Sequence, residues 1–418
     1  MKLNKFDFSV GEEELREFKK EIKEFMEVLK QRAGAEVFLG GSFAKGTVAK
    51  SEEYDADIFV RFDWKYDNLS GRLEKILKPI AKAGKFNMKR MHGSRDYFKI
   101  WKDKKLTFEI IPVTKIKNVK MARNVTDLSY FHVNYVKKHL DKGAAKELAL
   151  AKKFFKANGI YGAESYIHGF SGYGLECLII HYKSFVKMLK ELVKVKGDER
   201  VVIDLKKYYK KKNDVFFELN ESKLHSPIIL IDPTWKERNV LASLNRETFE
   251  KFQEVARSFL KKRSESYFHK AEFDESPLRK KARRGEFLHL VIGTSRQEGD
   301  IAGTKMKKFS GLLERVFERY FTIVAREFFY PGEGNKSDFY LVLKSKKEVL
   351  KVGPPLDKKK DVERFKKANK RSVKKNGAIC AKVKVDFFGK EFIRQWAKSK
   401  DGRLKLEGMS ICQLKVLD

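Results

Sequence analysis

The chain has 418 residues, and Lys plus Arg number 92 against 57 for Asp plus Glu, so its formal net charge is +35. At roughly 150 residues per domain, this length predicts about three domains. The positive charge favours a polyanionic partner such as a nucleic acid. A content of 42% hydrophobic and 13% aromatic residues excludes a disordered basic chain.

The three cysteines, Cys177, Cys380 and Cys412, lie far apart in the sequence and cannot all pair. This spacing argues against a disulfide framework or a CxxC metal site and predicts a reducing, cytoplasmic location. The N-terminus carries no apolar run of signal-peptide length, and no stretch of about 18 uncharged apolar residues occurs. We therefore expect neither secretion nor a membrane partner. The oligomeric state stays open, with a homodimer as one alternative.

The first part of the chain mixes helix and strand patterns. Apolar residues at intervals of three and four predict an amphipathic helix from Glu12 to Arg32. Short apolar runs predict strands at Val37 to Leu39, Ala56 to Phe62 and Leu106 to Val113. Together these elements predict a first domain, residues 1–140, built on a small mixed sheet with helices.

The middle part has a mainly helical pattern. We predict a helix that ends near Gly159, a longer helix from about Tyr173 to Leu192, and a third helix capped by Asn245. The helical spacing resets after Arg263, so the second predicted domain covers residues 141–265.

The last third alternates between strands and helices. The sequence predicts a strand at Phe287 to Ile292, a long helix from Lys305 to Phe328 and a strand at Phe339 to Leu343. Strand-like runs return at Ile379 to Val385 and Ile411 to Val416. The third predicted domain, residues 266–418, is therefore α+β, and the whole chain is predicted to be an α+β multidomain protein.

Two acidic residues on one predicted strand are the most informative feature. Asp55 and Asp57 alternate with apolar residues, which places both carboxylates on one face, about 7 Å apart at the backbone. Like charges this close need a cation, and Mg²⁺ takes hard oxygen ligands from carboxylates and substrate phosphates. Glu109, inside the third apolar run, is the candidate third carboxylate. It would complete a site for two Mg²⁺ ions about 3.5–4 Å apart.

A glycine-rich segment, Gly40-Gly41-Ser42-Phe43-Ala44-Lys45-Gly46-Thr47, precedes these acids. Glycines after a strand let backbone amides approach an anion. Ser42 and Lys45 add a hydroxyl and a cation. We therefore predict that Gly41, Ser42 and Lys45 bind the phosphates of a nucleotide.

Each of these patterns has a plainer interpretation. A Gly-Gly-Ser turn alone is usually only a turn, and two alternating acids are common on solvated strand edges. Glu109 alone could form a structural ion pair with an arginine. The three features together favour an active site with Asp55, Asp57 and Glu109 as catalytic and metal-binding residues.

The Gly-Ser segment, the alternating acids and the later third acid resemble the nucleotidyltransferase superfamily. Further motifs are Lys156 to Glu164, Gly169 to Tyr173 with Glu176, Asp232-Pro233 with Arg238-Asn239-Val240, and Gly353-Pro354-Pro355. Over nearly the whole chain these resemble the archaeal, class I CCA-adding tRNA nucleotidyltransferases. The resemblance implies template-independent addition of C, C and A to the 3′ end of tRNA from CTP and ATP at one active site.

The resemblance also assigns roles to individual residues. Ser42 and Lys45 match the triphosphate position, in agreement with the pattern itself. His132, Lys152 and Tyr161 match positions that contact the incoming nucleotide. Arg238 matches an arginine that helps to sense the growing 3′ end and the base.

Two departures from the family pattern affect the site. The third acid is usually Asp, and Glu109 is one methylene longer, which alters the expected coordination geometry. The usual Arg-Thr-Pro-Phe-His is replaced by Leu128-Ser129-Tyr130-Phe131-His132, without the arginine.

An enzyme that accepts every tRNA is expected to recognise the shape and backbone of the acceptor and T arms rather than a base sequence. The lysine-rich C-terminal domain is the expected platform. The residues predicted to contact RNA phosphates are Arg279, Lys280, Lys281, Arg283 and Arg284. A charge run of this kind is also common on a merely solvated face.

Three alternatives remain. A poly(A) polymerase or another RNA terminal nucleotidyltransferase would share the metal site but add only A. An inactive RNA-binding protein would have no use for clustered acids, which weaken affinity for phosphates. A small-molecule nucleotidyltransferase would not need a net charge of +35.

Overall fold

The computed structural model describes residues 8, 10–270, 273–295, 298–369 and 371–417. The chain divides into two compact units, Met1–Glu272 and Phe273–Asp418. Both combine helices with small sheets, which confirms the predicted α+β class; the division into three domains stays a prediction. Within the described ranges no helix is both long and apolar enough to cross a membrane, and all three cysteines are free thiols.

The first unit begins with a five-stranded mixed sheet. Its strands are β1 (Glu36–Leu39), β2 (Tyr54–Phe62), β3 (Asn87–Met91), β4 (Tyr97–Trp101) and β5 (Leu106–Thr114). They lie in the order β1-β2-β5-β4-β3, with β2 and β5 parallel and the other pairs antiparallel. The three strands expected here are confirmed as β1, β2 and β5. The hairpin of β3 and β4 was not predicted.

Helices α1 (Glu12–Ala33), α2 (Gly41–Lys45) and α3 (Leu69–Gly84) accompany this sheet. The predicted N-terminal helix is confirmed as α1, whose apolar stripe is buried at Phe18, Ile22, Phe25 and Leu29. These side chains join one core with the buried face of the sheet. On the opposite face, β2 and β5 carry Asp55, Asp57 and Glu109 first, and a second apolar cluster with Phe59, Ile111 and Val113 further along.

The rest of the first unit is mainly helical. Its helices are α4 (Ser129–His139), α5 (Lys142–Ala157), α6 (Gly172–Tyr182), α7 (Phe185–Leu192), α8 (Asp214–Glu218) and α9 (Arg246–Lys261). A three-stranded sheet of β6 (Val201–Asp204), β7 (Ile228–Asp232) and β8 (Trp235–Asn239) lies in the order β6-β7-β8. A separate core holds fully buried phenylalanines from α5, α7 and α9: Phe154, Phe155, Phe185, Phe252 and Phe259.

Two predicted helices in this part have different outcomes. The helix capped by Asn245 is confirmed as α9, since the Asn245 side chain accepts a hydrogen bond from the Thr248 amide. A single helix from Tyr173 to Leu192 is wrong, because α6 ends at Tyr182 and the next residue, Lys183, is left-handed with a φ of 61°. Helix α7 begins at Phe185, after Ser184, so one apolar stripe is divided between two helices.

The second unit contains two sheets and several helices. Its strands are β9 (Glu286–Thr294), β10 (Phe321–Phe329), β11 (Lys336–Ser345), β12 (Glu348–Pro355), β13 (Ser372–Lys375), β14 (Ala378–Lys384) and β15 (Ile411–Leu417). Its helices are α10 (Ser276–Lys281), α11 (Gly299–Phe317), α12 (Lys359–Ala368), α13 (Gly389–Lys398) and α14 (Lys400–Gly408). The strand orders are β10-β11-β9-β15 and β12-β14-β13.

The long helix predicted from Lys305 to Phe328 is wrong in its second half. Helix α11 ends at Phe317, and Phe321–Phe329 forms β10, which pairs with β11. The β10 segment Phe-Thr-Ile-Val-Ala-Arg-Glu-Phe-Phe is rich in β-branched and aromatic residues, which favour a strand once a partner strand is available.

Candidate active site

The parallel pair of β2 and β5 brings the three predicted acids together. The register aligns Asp57 with Glu109 and Asp55 with Thr107. Ala56 and Ile58, which alternate with the two aspartates, are fully buried. The alternation therefore places Asp55, Asp57 and Glu109 on the same face of the sheet.

Lys99 places a positive charge beside these carboxylates. It pairs with Glu109 in the antiparallel register of β4 and β5. Its Nζ lies 2.9 Å from Glu109 Oε1 and 3.9 Å from Asp55 Oδ1. The space between Asp55 and Glu109 thus already accommodates a cation.

Burial dominates the electrostatics of this cluster. It raises the pKa of Asp57 to about 7, with further contributions from the negative charges of Glu109 and Asp55. Burial also raises the pKa of Glu109, although Lys99 opposes the change. For Lys99, burial alone would lower the pKa, but Glu109 and Asp55 outweigh it and raise that pKa above its ordinary value. The cluster is therefore short of positive charge.

The donor chemistry of this cluster fits a hard divalent cation. Three carboxylates supply the oxygen ligands that Mg²⁺ takes. Among the described residues, no three His, Cys, Asp or Glu side chains already lie close enough together to hold a metal ion. The positive charge next to Asp55 and Glu109 comes from Lys99.

Gly41 allows the glycine-rich turn to pass directly over Asp57. Its φ is 56°, and a Cβ atom there would lie 1.7 Å from Asp57 Oδ2. The preceding Gly40 donates its amide to the Asp57 carbonyl oxygen over 2.7 Å. Any side chain at position 41 would therefore displace the Asp57 carboxylate.

Two lysines, Lys45 and Lys152, contact one buried glutamate, Glu176. Lys45 Nζ donates to Glu176 Oε2 over 2.7 Å, and Lys152 Nζ lies 3.5 Å from Glu176 Oε1. Lys152 also donates to Thr47 Oγ1 over 3.1 Å. The Glu176 side chain is only 3% exposed. Burial lowers the pKa of Lys152, and Glu176 opposes that change.

A second buried carboxylate, Asp232, gathers the remaining predicted nucleotide contacts. Its Oδ2 accepts from Arg238 Nη1 at 2.6 Å and lies 3.1 Å from His132 Nε2. Its Oδ1 accepts from the Tyr173 hydroxyl over 3.2 Å and from the Thr234 hydroxyl over 2.7 Å. The His132 ring stacks on Tyr173 with a centroid separation of 3.9 Å.

The Asp232 cluster keeps its carboxylate charged. Burial acts in the opposite direction, but the hydrogen bond from His132 and the charges of His132 and Arg238 hold the pKa of Asp232 well below its usual range. Burial lowers the pKa of His132, against the influence of Asp232. Since a carboxylate accepts hydrogen bonds, His132 Nε2 carries the proton in this contact.

One cavity of about 710 Å³ collects most of the predicted site. The predicted residues that line it are Gly41, Ser42, Lys45, Asp55, Asp57, Glu109, Lys152 and Tyr161. His132 and Arg238 are not among its lining residues. They connect to it through Tyr173, which lines the cavity and contacts both His132 and Asp232.

The predicted RNA-contacting residues lie in the second unit. Lys280, Lys281, Arg283 and Arg284 are exposed on α10 and the 3₁₀ turn that follows it. Arg279 is also exposed, but its Nε donates to Glu275 over 2.8 Å and its guanidinium lies 4.3 Å from the centre of the Phe287 ring.

Sequence reasoning assigned no role to several residues of the cavity and its surroundings. Glu176 and Asp232 belong to motifs of the family resemblance, and a carboxylate in an apolar helix or strand was the signal available for each. Lys99 and Thr47 carried no such signal, because their importance depends on pairing and packing between distant segments.

Two family models match the first unit. Residues 19–132 match the nucleotidyltransferase domain, and residues 146–269 match the second domain of tRNA nucleotidyltransferases. The matches cover the sheet with the three acids and the helical part with the two buried carboxylates.

Curated relatives extend the similarity over most of the chain. A CCA-adding enzyme of Nanoarchaeum equitans is 34% identical over 365 residues, which are 84% of this chain and 84% of that protein. A CCA-adding enzyme of Methanocaldococcus jannaschii is 30% identical over 79% of this chain and 73% of that protein. One from Saccharolobus islandicus is 28% identical over 81% and 78% of the two chains. The chain therefore belongs to the archaeal CCA-adding enzyme family of tRNA nucleotidyltransferases.

Proposed function

We propose that the cavity beneath Gly41 is the active site at which this enzyme adds C, C and A to the 3′ end of tRNA, using CTP and ATP without a template. The observation that carries this proposal is that acidic and basic side chains line the same cavity. Asp55, Asp57 and Glu109 lie on one sheet face, and Lys45 and Lys152 also line the same space. Such a site suits a metal-bound triphosphate.

In the reaction, the 3′ hydroxyl of tRNA attacks the α-phosphate of the nucleotide. A bond forms between the 3′ oxygen and the α-phosphorus, the bond from the α-phosphorus to the bridging oxygen breaks so that pyrophosphate leaves, and the hydroxyl proton is released to solvent. Two Mg²⁺ ions, held by Asp55, Asp57 and Glu109 when bound, would lower the pKa of the attacking hydroxyl and stabilise charge on the leaving group. The raised pKa of Asp57 supports this role, because a cation would relieve the charge that burial penalises.

We assign the triphosphate to the lysine side of the cavity. Ser42, Lys45, Lys152 and Tyr161 supply two hydroxyl groups and two ammonium groups around it. Lys152 is buried and its burial lowers its pKa, so an anionic ligand would favour its charged form.

The base of the nucleotide and the RNA end belong, in this proposal, near the Asp232 cluster. Asp232 holds both His132 and Arg238. Tyr173, which stacks on His132, lines the cavity. A site whose buried polar groups pair with the correct ligand rejects a wrong ligand strongly, because the wrong ligand leaves those groups unpaired. Arg238 and His132 therefore act through a shared support rather than as isolated contacts.

The backbone of the acceptor and T arms would bind the basic surface of the second unit, including Lys280, Lys281, Arg283 and Arg284. Exposure and charge support this assignment. The net charge of +35 is in keeping with a large polyanionic substrate.

The decisive experiment incubates the purified protein with a tRNA transcript that lacks CCA and with each radiolabelled NTP, alone and in combination. We expect two C residues to be added from CTP and one A to follow only when ATP is also present. A long ladder from ATP alone would instead identify a poly(A) polymerase. A tRNA that already ends in CCA is the matched control and should not be extended.

A further inference from the structure

Glu176 is a negative charge inside the part of the cavity assigned to a negatively charged ligand. Its carboxylate lines the cavity and is 3% exposed, and both of its oxygens are engaged by lysines. Lys45 and Lys152, its partners, are 10% and 11% exposed. All three side chains line the cavity and are largely shielded from bulk water.

The contacts of Glu176 with the two lysines are ones that a bound phosphate group could replace. Lys45 makes a short contact of 2.7 Å, whereas Lys152 divides its donors between Glu176 at 3.5 Å and Thr47 at 3.1 Å. A buried ammonium group without an anion is strongly unfavourable. An entering phosphate group would therefore have to share these lysines with Glu176 or draw them away from it.

We propose that Glu176 is an internal anion that competes with the triphosphate and the pyrophosphate for Lys45 and Lys152, and so limits how tightly pyrophosphate is retained. The proposal rests on the proposed function, which places the triphosphate at these lysines. One active site has to release pyrophosphate three times for each CCA end. A site with two uncompensated buried lysines would hold that product and slow every cycle.

This role differs from that of an ordinary buried ion pair. A purely structural pair is destabilised when one partner is removed, and a ligand does not repair the loss specifically. Removal of the Glu176 charge should instead leave two lysines that pyrophosphate compensates better than before. Ligand binding to the native state then adds stability in proportion to the gain in affinity.

The test compares E176Q with wild type by calorimetric titration with sodium pyrophosphate at fixed MgCl₂, and by melting temperature over the same titration. We expect the dissociation constant for pyrophosphate to fall about tenfold in E176Q, because a charge-assisted contact no longer competes. The variant should melt below wild type without pyrophosphate and gain more from it. E147Q is the control, since Glu147 accepts a hydrogen bond from the Phe185 amide over 2.6 Å and does not line the cavity.

Unchanged or weaker pyrophosphate binding in E176Q, with binding intact in wild type, would overturn this inference and leave the proposed function standing. Absence of pyrophosphate binding in wild type would instead overturn the placement of the triphosphate, and this inference with it. If E176Q does not fold, E176D keeps the charge but shortens the side chain by one methylene. That variant should show a smaller tightening in the same titration, and weaker binding would count against the proposal.

Discussion

Lys99 and Glu109 face each other across β4 and β5, with 2.9 Å between Nζ and Oε1, and Asp55 is 3.9 Å from the same ammonium group. A lysine at this place reduces the negative charge of the three-acid cluster. It also occupies space beside two of the carboxylates proposed to bind metal. Lys99 and a divalent cation therefore oppose each other electrostatically.

Replacement of Lys99 by methionine should strengthen metal binding. A unit charge about 4 Å away is worth about 1 kcal/mol even in bulk water, so we expect the dissociation constant for Mn²⁺ to fall about fivefold or more. Electron paramagnetic resonance of free Mn²⁺ measures this directly and does not depend on turnover. K102M, at an exposed lysine near the same strand, should leave Mn²⁺ affinity unchanged. Weaker binding in K99M would show that Lys99 organises the carboxylates rather than competing at them.

Asp57 is the acid whose loss should be most damaging. We expect D57N to lower nucleotide addition by on the order of a thousandfold, because metal coordination supplies several kcal/mol of transition-state stabilisation. Affinity for tRNA should change little, since the proposal assigns the tRNA backbone to the basic surface of the second unit and Asp57 to the metal ions. Single-turnover addition of CTP and a filter-binding assay separate the two effects. D103N changes an exposed acid that accepts from the Lys105 amide, and it should behave as wild type. Turnover of D57N near that of wild type would remove Asp57 from the active site.

The strands of the site followed from sequence patterns, and their pairing did not. Alternation predicted correctly that Asp55 and Asp57 share a face, because side-chain direction along a strand is a local property. Lys99 next to Glu109 depends on the β4–β5 register, which is set by contacts between segments. No periodicity within either strand encodes it.

Errors in the fold have a similar physical origin. Apolar spacing extended the predicted helices through Lys183 and beyond Phe317, because the same residues suit a helix stripe or a buried strand. The left-handed residue at Lys183 and the pairing of Phe321–Phe329 with β11 resolved the ambiguity. The three acids chosen as charged residues in apolar runs do lie together on one cavity wall, and their catalytic role stays a prediction. Glu176 and Asp232 still needed the packed structure before their partners were known.

Asp232 should make the stability of the protein depend on acid pH. Its pKa is held below the ordinary value in the folded state, so the unfolded chain binds more protons and stability falls as pH falls. The Asp232 contribution is present above the ordinary pKa of an aspartate and is lost as the pH decreases from about 5 towards 3 and below.

D232N should therefore unfold more easily than wild type at pH about 7, and the difference should shrink at the acid end of this window. Urea titrations at several pH values measure the free energy of unfolding. D204N is the control, because Asp204 accepts from the backbone amides of Lys206 and Tyr209 and has no arginine or histidine partner among the contacts described. A difference that stays constant with pH would mean that the Asp232 charge contributes nothing to its contacts with His132 and Arg238.

Arg238 should influence the choice of nucleotide more than the binding of tRNA. Its Nη1 lies 2.6 Å from Asp232 Oδ2, and Asp232 also contacts His132. Loss of Arg238 therefore changes the Asp232 cluster, where we place the base of the nucleotide. We expect R238A to reduce discrimination between correct and incorrect NTPs by about tenfold, because unpaired polar groups are what reject wrong ligands. The ratio of kcat/KM values for CTP, ATP and UTP measures it. K236A alters the same strand at a lysine paired with Glu218 and should keep wild-type selectivity. Equal loss of tRNA affinity and selectivity would contradict a role at the base.

The exposed basic residues of α10 and its following turn should contribute to the salt dependence of tRNA binding. Lys280, Lys281, Arg283 and Arg284 are exposed on the second unit, whereas Arg279 is held by Glu275 and packs on Phe287. Each duplex phosphate that the protein no longer neutralises reduces the steepness of log affinity against log salt by about 0.9.

Replacement of the four exposed residues by glutamine should therefore weaken binding of the 418-residue chain to a tRNA transcript and make its salt dependence shallower. R279Q alone should change the slope less than any one of the four, because Glu275 already neutralises Arg279. Binding measured over a series of KCl concentrations gives both slopes. If the fourfold variant keeps the wild-type slope and affinity, these residues form a solvated face, and the phosphates are bound elsewhere on the basic surface.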